Sequence, residues 1–196
     1  MTEQLENLLQ ELETFGRQND AVEHDRPRRM LNITRDTGEF LGVLVQACDA
    51  RRVLELGTSN GYSTLWLAEA LQNLNGRVTT VEMAEYKIAL AAENFARSGL
   101  AGVIEQVHGE AGDFMKSRPD GAFDLVFLDS QRSEYLAWWP ELQRILRAGG
   151  LIVADNALSH APEMVPFMTR VSGDDTFTTC TLPVGNGQFL AVKRSA

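Results

Sequence analysis

The stretch "VLELGTSNGYSTLWLAEAL", residues 53–71, decides the fold. "VLEL" is a short apolar run suited to a buried strand, and it breaks at Gly57. From Tyr62 the pattern "YSTLWLAEALQ" turns helical. Strand, glycine-bearing turn and helix together open a βαβ unit. Working outward, the alternation recurs. "RVTTVE" (77–82) reads as a strand, and "AEYKIALAAENFARSG" (84–99) as a helix with Gly99 as its stop. "VIEQVHG" (103–109) is a strand, followed by a short helical piece near "AGDFMKS" (111–117). "FDLVFLD" (123–129) is a strand. "WWPELQRILRAGG" (138–150) is a helix with Pro140 near its first turn. "GLIVADN" (150–156) is a strand and "APEMVPFMTRVS" (161–172) a helix, strained at Pro166.

Strands alternating with helices predict a parallel sheet covered on both faces. The end of the chain differs. "TFTTCTL" (176–182) and "QFLAVK" (188–193) are separated only by "PVGNG", a loop that can join only antiparallel neighbours. Upstream, Leu5, Leu8, Leu9, Leu12 and Phe15 recur at helical spacing, with Gly16 read as the stop. This stripe packs either within the chain or between subunits of a homodimer. The polar run 17–29 reads as a loop that is either solvated or a lid. A second helix is predicted from Asp36, which with Glu39 has the capping-box offset. The expectation is an α/β, Rossmann-like, doubly wound and mostly parallel seven-stranded sheet with a C-terminal antiparallel hairpin and N-terminal helices. One domain spans 1–196: a helical addition over 1–50 and a ligand-binding core over 51–196.

With 196 residues, folding buries roughly 70% of the unfolded chain's surface, so no staples are needed. The formal net charge of −9 repels phosphate backbones and anionic membranes, which argues against both as partners. Cys48 and Cys180 lack metal-site spacing, and "MTEQLENLLQELETF" lacks the basic start and apolar centre of a signal peptide. A reducing, cytoplasmic location is expected.

In an open parallel sheet, ligands bind beyond the carboxyl ends of the strands. Those ends carry "ELGTSNGYST", Glu82, "HGEAGD", Asp129 and the pair Asp155–Asn156. The first turn has only Gly57 and Gly61, short of the three glycines of a dinucleotide fingerprint. Glu82 falls 25 positions after Gly57, where an acid can bond a ribose diol. A nucleoside without a pyrophosphate fits better, and S-adenosylmethionine (SAM) is one. Its carboxylate suits the helix N-terminus at Tyr62, and Glu55 and Asp129 are available to its amino group and sulfonium. A plain glycine turn with a solvated acid is the competing reading.

"VLELGTSNGYSTLWLAEAL", "VTTVEMAEY", "FDLVFLDSQRSEYL" and "GGLIVADN" resemble the class I SAM-dependent methyltransferase core, and more narrowly the catechol and caffeoyl-CoA type O-methyltransferases. The likeness runs from about Met30 to the C-terminus. It implies that Glu55, Gly57, Thr58, Gly61, Tyr62 and Ser63 cradle the methionine end. It implies that Glu82 holds the ribose with Met83 against the adenine, and that Gly109, Glu110 and Ala111 lie at the adenine edge. It further implies Mg²⁺ on Asp129, Asp155 and Asn156.

The residues make a separate case for a metal. The fourth and fifth strands would be neighbours about 4.8 Å apart, which brings Asp129 and Asp155 together. Two such carboxylates need a shared proton or a bridging cation. With the oxygen of Asn156 the donors are all hard, favouring Mg²⁺, Mn²⁺ or Ca²⁺ over zinc. Such an ion would acidify an acceptor hydroxyl. Alternatively, Asp155–Asn156 only caps a loop.

The chain departs from the family in two ways. The catechol enzymes carry a lysine base three positions after the first metal aspartate, and Arg132 stands there instead. A guanidinium stays protonated and cannot be that base. Arg132 either stabilises an oxyanion or is a surface arginine. Deprotonation then falls to the metal or to His160, which could equally just precede a helix. The family's acid that grips the substrate hydroxyl is also missing near "TTCTLPVGN", which argues against catechol itself. Trp138 and Trp139 either wall a flat substrate or pack in the core. His24 and His108 read as a charged loop and a strand tip. The expected activity is SAM-dependent O-methyl transfer to a small hydroxylated molecule, either aromatic or carrying a vicinal diol. A degenerate SAM-binding scaffold and an NAD-dependent oxidoreductase are the alternatives.

Overall fold

A computed structural model of the chain describes residues 1–195. Among the described residues, seven α-helices and seven strands follow one another. They are α1 (Glu3–Val22), α2 (Arg35–Ala47), β1 (Arg52–Leu56), α3 (Tyr62–Gln72), β2 (Arg77–Glu82), α4 (Glu85–Ser98) and β3 (Ile104–His108). Then come α5 (Ala111–Lys116), β4 (Phe123–Leu128), α6 (Tyr135–Ile145), β5 (Leu146–Ala154), α7 (Ala161–Ser172), β6 (Phe177–Leu182) and β7 (Gln188–Lys193). The sheet order is β3-β2-β1-β4-β5-β7-β6. The first five strands in that order are parallel, and β7 runs antiparallel between β5 and β6. The mostly parallel sheet with its terminal hairpin is as the sequence predicts.

The two-residue side-chain period of a strand divides the core. Val53 of β1 packs on the face covered by α1, α2 and α3, while Leu54 and Leu56 pack on the face with Trp139, Leu142, Met164 and Phe167. The order reverses direction at β1, whose neighbours are β2 and β4. The carboxyl tips of these central strands form the crevice of a doubly wound sheet.

Three sequence expectations need correction. Helix α1 does not stop at Gly16 but runs to Val22, and only part of 17–29 is loop. Gly16 is buried within the helix because a Cβ there would stand 2.6 Å from Nδ2 of Asn32, which crosses it to donate to the Leu12 carbonyl. The leucine stripe is buried within this chain, against the core beneath α1. Asp36 does not cap α2: the N-cap is Thr34, and Asp36 lies in the first turn, where it accepts from the Gly185 amide. Glu39 pairs with Arg35. Finally, α6 begins at Tyr135 and ends at Ile145, so Pro140 lies inside it. "LRAGG" joins β5, with Leu146 paired to Phe123 through an irregular register.

Candidate active site

The turn after β1 is shaped by contact. Gly57 has φ +106°, and a Cβ there would collide with the Asp129 carbonyl of the neighbouring strand tip. Gly61, at φ +87°, heads α3, and a Cβ there would meet the Phe95 ring at 2.5 Å. Thr58 and Tyr62 are buried in the same turn. Glu55 has no exposed surface. Its Oε1 accepts from Ser63 Oγ at 2.6 Å, and its Oε2 accepts from Thr64 Oγ1 and, at 2.7 Å, from Thr80 Oγ1. Glu55 therefore ties β1, β2 and the first turn of α3 together beneath the crevice. Burial pushes its carboxyl up to about 7, although the three hydroxyls pull the other way.

Glu82 stands at the tip of β2. Its Oε1 accepts from the amides of Met83 (3.0 Å) and Ala84 (2.9 Å), and its Oε2 from the amide of Ser59 (3.0 Å). Each carboxylate oxygen has two lone pairs, so Oε2 keeps one open. Met83 is 71% exposed beside it. The Gly109 amide donates to the Glu82 carbonyl, which brings the tips of β2 and β3 together. Glu110 caps α5 by accepting from the Asp113 amide, with Ala111 as the first residue of that helix. Trp138 Nε1 lies close to where a Cβ on Gly112 would be, and Trp139 is buried against Phe167 and Phe177.

Asp129 and Asp155 follow paired residues, Leu128 and Ala154, on adjacent strands. The amide of Asn156, a residue at φ +66°, reaches both: its Nδ2 lies 3.3 Å from Asp129 Oδ1 and 3.0 Å from Asp155 Oδ2. Two carboxylates and a carboxamide thus meet at one point. Asp155 is 2% exposed, and its other oxygen accepts from Gln188 Nε2. Burial raises both aspartates; for Asp129 the neighbouring Asp155 charge adds to it, while for Asp155 the Asn156 and Gln188 hydrogen bonds oppose it. Among the described residues no three His, Cys, Asp or Glu side chains form a ligand cluster, so any cation here has two aspartates and an asparagine.

Arg132, in the turn before α6, has a side chain only 7% exposed. Its Nε donates to Glu163 Oε2 at 2.8 Å. His160 is the N-cap residue of α7, with Nδ1 3.0 Å from Ser159 Oγ. A strap from the end of α1 crosses the tips of β1 and β2. The Asp20 carboxylate accepts from the amides of Met30 (2.7 Å) and Leu31 (2.8 Å), and Ser59 Oγ donates to the Met30 carbonyl at 2.7 Å.

Gln188, Glu163, Ser59 and Asp20 escaped the sequence reading. Gln188 had a signal: as the first residue of a strand antiparallel to β5, it must fall beside β5's acidic tip. An open groove of about 630 Å³ between α2 and α3, lined by Gly42, Val43, Trp66 and Ala70, contains none of the strand-tip residues.

The profile of the O-methyltransferase family matches residues 3–194. A catechol O-methyltransferase of Mycobacterium tuberculosis is 38% identical over 139 residues, 71% of this chain and 61% of that protein. One from Niastella koreensis is 37% identical over 131 residues, 65% of this chain and 59% of that protein. The match thus spans about three fifths of these relatives' lengths. The crystal structure of an O-methyltransferase from Bacillus cereus in complex with SAH has a TM-score of 0.81 at 26% identity, covering 96% of this chain and 91% of that one. Sheet order and strand-tip site define a Rossmann-like methyltransferase fold. The chain belongs to the O-methyltransferase family.

Proposed function

We propose that the chain is a SAM-dependent O-methyltransferase that moves a methyl group to a hydroxyl of a small molecule, with a divalent metal assisting. One observation carries this reading: Asp129, Asp155 and Asn156 meet at the tips of β4 and β5, and the Gly57 turn on β1 lies between them and Glu82 on β2. The SAH complex of the Bacillus cereus protein supports the donor, and the names of the catechol relatives support a hydroxyl acceptor.

Each group then has a task. The turn from Gly57 to Ser63, with Glu55 holding it from below, receives the methionine end at the start of α3. Glu82 offers its open Oε2 lone pair to the ribose. Met83, Gly109, Glu110 and Ala111 border the adenine. Asp129, Asp155 and Asn156 fit a hard cation: the two carboxylates are held together by an amide, and rotation of that amide presents Oδ1. When bound, Mg²⁺ or a similar ion supplies Lewis acidity toward the acceptor hydroxyl. The rest is alignment of acceptor oxygen and methyl carbon. Arg132 faces the acceptor end. His160, engaged with Ser159, is the weaker candidate for a base. The two cysteines are unpaired and suit the reducing cytoplasm, and among the described residues no helix is long and apolar enough to cross a membrane.

Calorimetry with S-adenosylhomocysteine, with NAD as control, tests the donor. Turnover on a panel of phenols and diols, with Mg²⁺ and then with chelator, tests the reaction. Binding of NAD alone would point to an oxidoreductase. Donor binding without turnover on any acceptor would leave a scaffold domain.

A further inference from the structure

Arg132 is unusual in being both buried and incompletely used. Its Nε is engaged by Glu163, but its Nη2 is buried with no hydrogen-bond partner among the described residues. A guanidinium keeps its charge and presents its donors in a rigid fork. A buried donor of this kind calls for an acceptor, and a charged donor calls for an anionic one. The groups its charge acts on are Asp129 at the tip of β4, Asp155 at the tip of β5, Tyr135 of α6 and Glu163 of α7; His160 acts on Asp155 and Glu163, and Arg26 of the strap on Glu163. Its one ion pair among the described residues is with Glu163, and the aspartates do not consume it.

We propose that Arg132 makes the acceptor end of the crevice an anion site, so that this chain methylates hydroxyl compounds that arrive already ionised: acidic phenols and enols, not alcohols. The inference rests on the methyl-transfer reading above, because Asp129 and Asp155 would repel an anion unless a divalent cation stood between them. The proton leaves to solvent before transfer. The acceptor's anionic oxygen then supplies the electron pair of the new O–CH3 bond. The S–CH3 bond breaks with its pair left on sulfur, the sulfonium becomes a neutral thioether, and no base acts in the step. Arg132 neutralises the oxyanion in the ground state and holds it in line.

The test is optical. 4-Nitrophenol and 4-nitrocatechol report their ionised form by absorbance. Each is titrated with pH on protein saturated with S-adenosylhomocysteine, with Mg²⁺ and again with chelator. With Mg²⁺ present, the expected result is an ionisation midpoint about one pH unit or more below that of the free phenol, as an opposite charge within a few ångströms produces; chelation should raise it as the two aspartates are bared. With Mg²⁺ present it should lie about half a pH unit or more higher in Arg132→Gln, which keeps the metal but not the guanidinium. In Glu163→Gln, a change at a half-exposed surface carboxylate, it should fall further as the guanidinium loses its partner. Equal midpoints in wild type and Arg132→Gln overturn the proposal. Equality with Mg²⁺ would assign the whole shift to the metal. Failure of wild type to bind either phenol also overturns the proposal. If Arg132→Gln does not fold, an unchanged or higher midpoint in Glu163→Gln is decisive against it. Failure to bind S-adenosylhomocysteine would instead refute the methyl-transfer reading itself.

Discussion

Glu55→Gln probes the charge beneath the donor turn. Glu55 has no exposed surface, and burial raises its carboxyl from the ordinary 4.5 to about 7. The folded chain therefore keeps this proton up to about pH 7, whereas the unfolded chain releases it near 4.5. Between those values the native state binds more protons, so stability falls as pH rises through the window. The gap is worth about 3 kcal/mol, absent below pH 4.5 and fully felt above pH 7. Glutamine keeps the shape and removes the charge. Its amide nitrogen must donate where the carboxylate accepted, and the Thr64 and Thr80 hydroxyls can turn to receive it, for a loss of about 1 kcal/mol. At pH 8 the variant should be more stable than wild type by about 2 kcal/mol. At pH 5 the two should agree within about 1 kcal/mol. Urea denaturation followed by the fluorescence of Trp66, Trp138 and Trp139 reads the difference. A gap that stays constant between pH 5 and pH 8, or a variant that loses ground as pH rises, would refute the reasoning.

Three other changes test separate parts. Asp124, 6% exposed at the opposite end of the sheet, would be raised by burial, but hydrogen bonds from Arg52, the Arg51 and Arg52 amides and Arg147 hold its carboxyl down at about 2. Its contribution is present above pH 3.8 and lost as pH falls toward 2, so Asp124→Asn should cost about 2 kcal/mol at pH 7 and progressively less in acid, measured by urea denaturation at each pH. Gly57→Ala, which drives a methyl group into the Asp129 carbonyl at a positive φ, should weaken S-adenosylhomocysteine binding about tenfold or more in calorimetry while the circular dichroism stays native. Gln188→Leu removes the amide that holds Asp155 and should lower Mn²⁺ affinity about 10- to 100-fold by electron paramagnetic resonance, leaving S-adenosylhomocysteine binding intact.

The sheet was legible because its signals are local. "VLEL", "RVTTVE" and "FDLVFLD" are buried runs bounded by turns, and each forms a strand close to its expected limits. The misreadings arose where a distant contact overrides a local rule. Gly16 looks like a helix stop, but it is small so that Asn32 can cross the helix. "LRAGG" continues a helical pattern, yet it extends β5 because Phe123 of β4 offers Leu146 a pairing partner. Likewise Asp36 has the spacing of a cap, but the Gly185 amide, 149 positions away, claims it.

The site divides along the same line. Strand-tip acids announce themselves, since an apolar run ending in a carboxylate needs no partner to be noticed. What surrounds them does not. Gln188 reaches Asp155 across 33 positions, Glu163 reaches Arg132 across 31, and Thr80 reaches Glu55 across 25. Arg132 is the sharpest case. The sequence allows an oxyanion partner and a surface arginine alike, because three positions past a strand tip can face either way. A side chain 7% exposed, with a buried Nη2 left without a partner among the described residues, removes the surface option. Arg132 places a fixed positive charge where the resemblance to the catechol enzymes implies a lysine base, and a guanidinium can bind an anion but cannot take a proton. On the proposal above, the acceptor brings the negative charge with it.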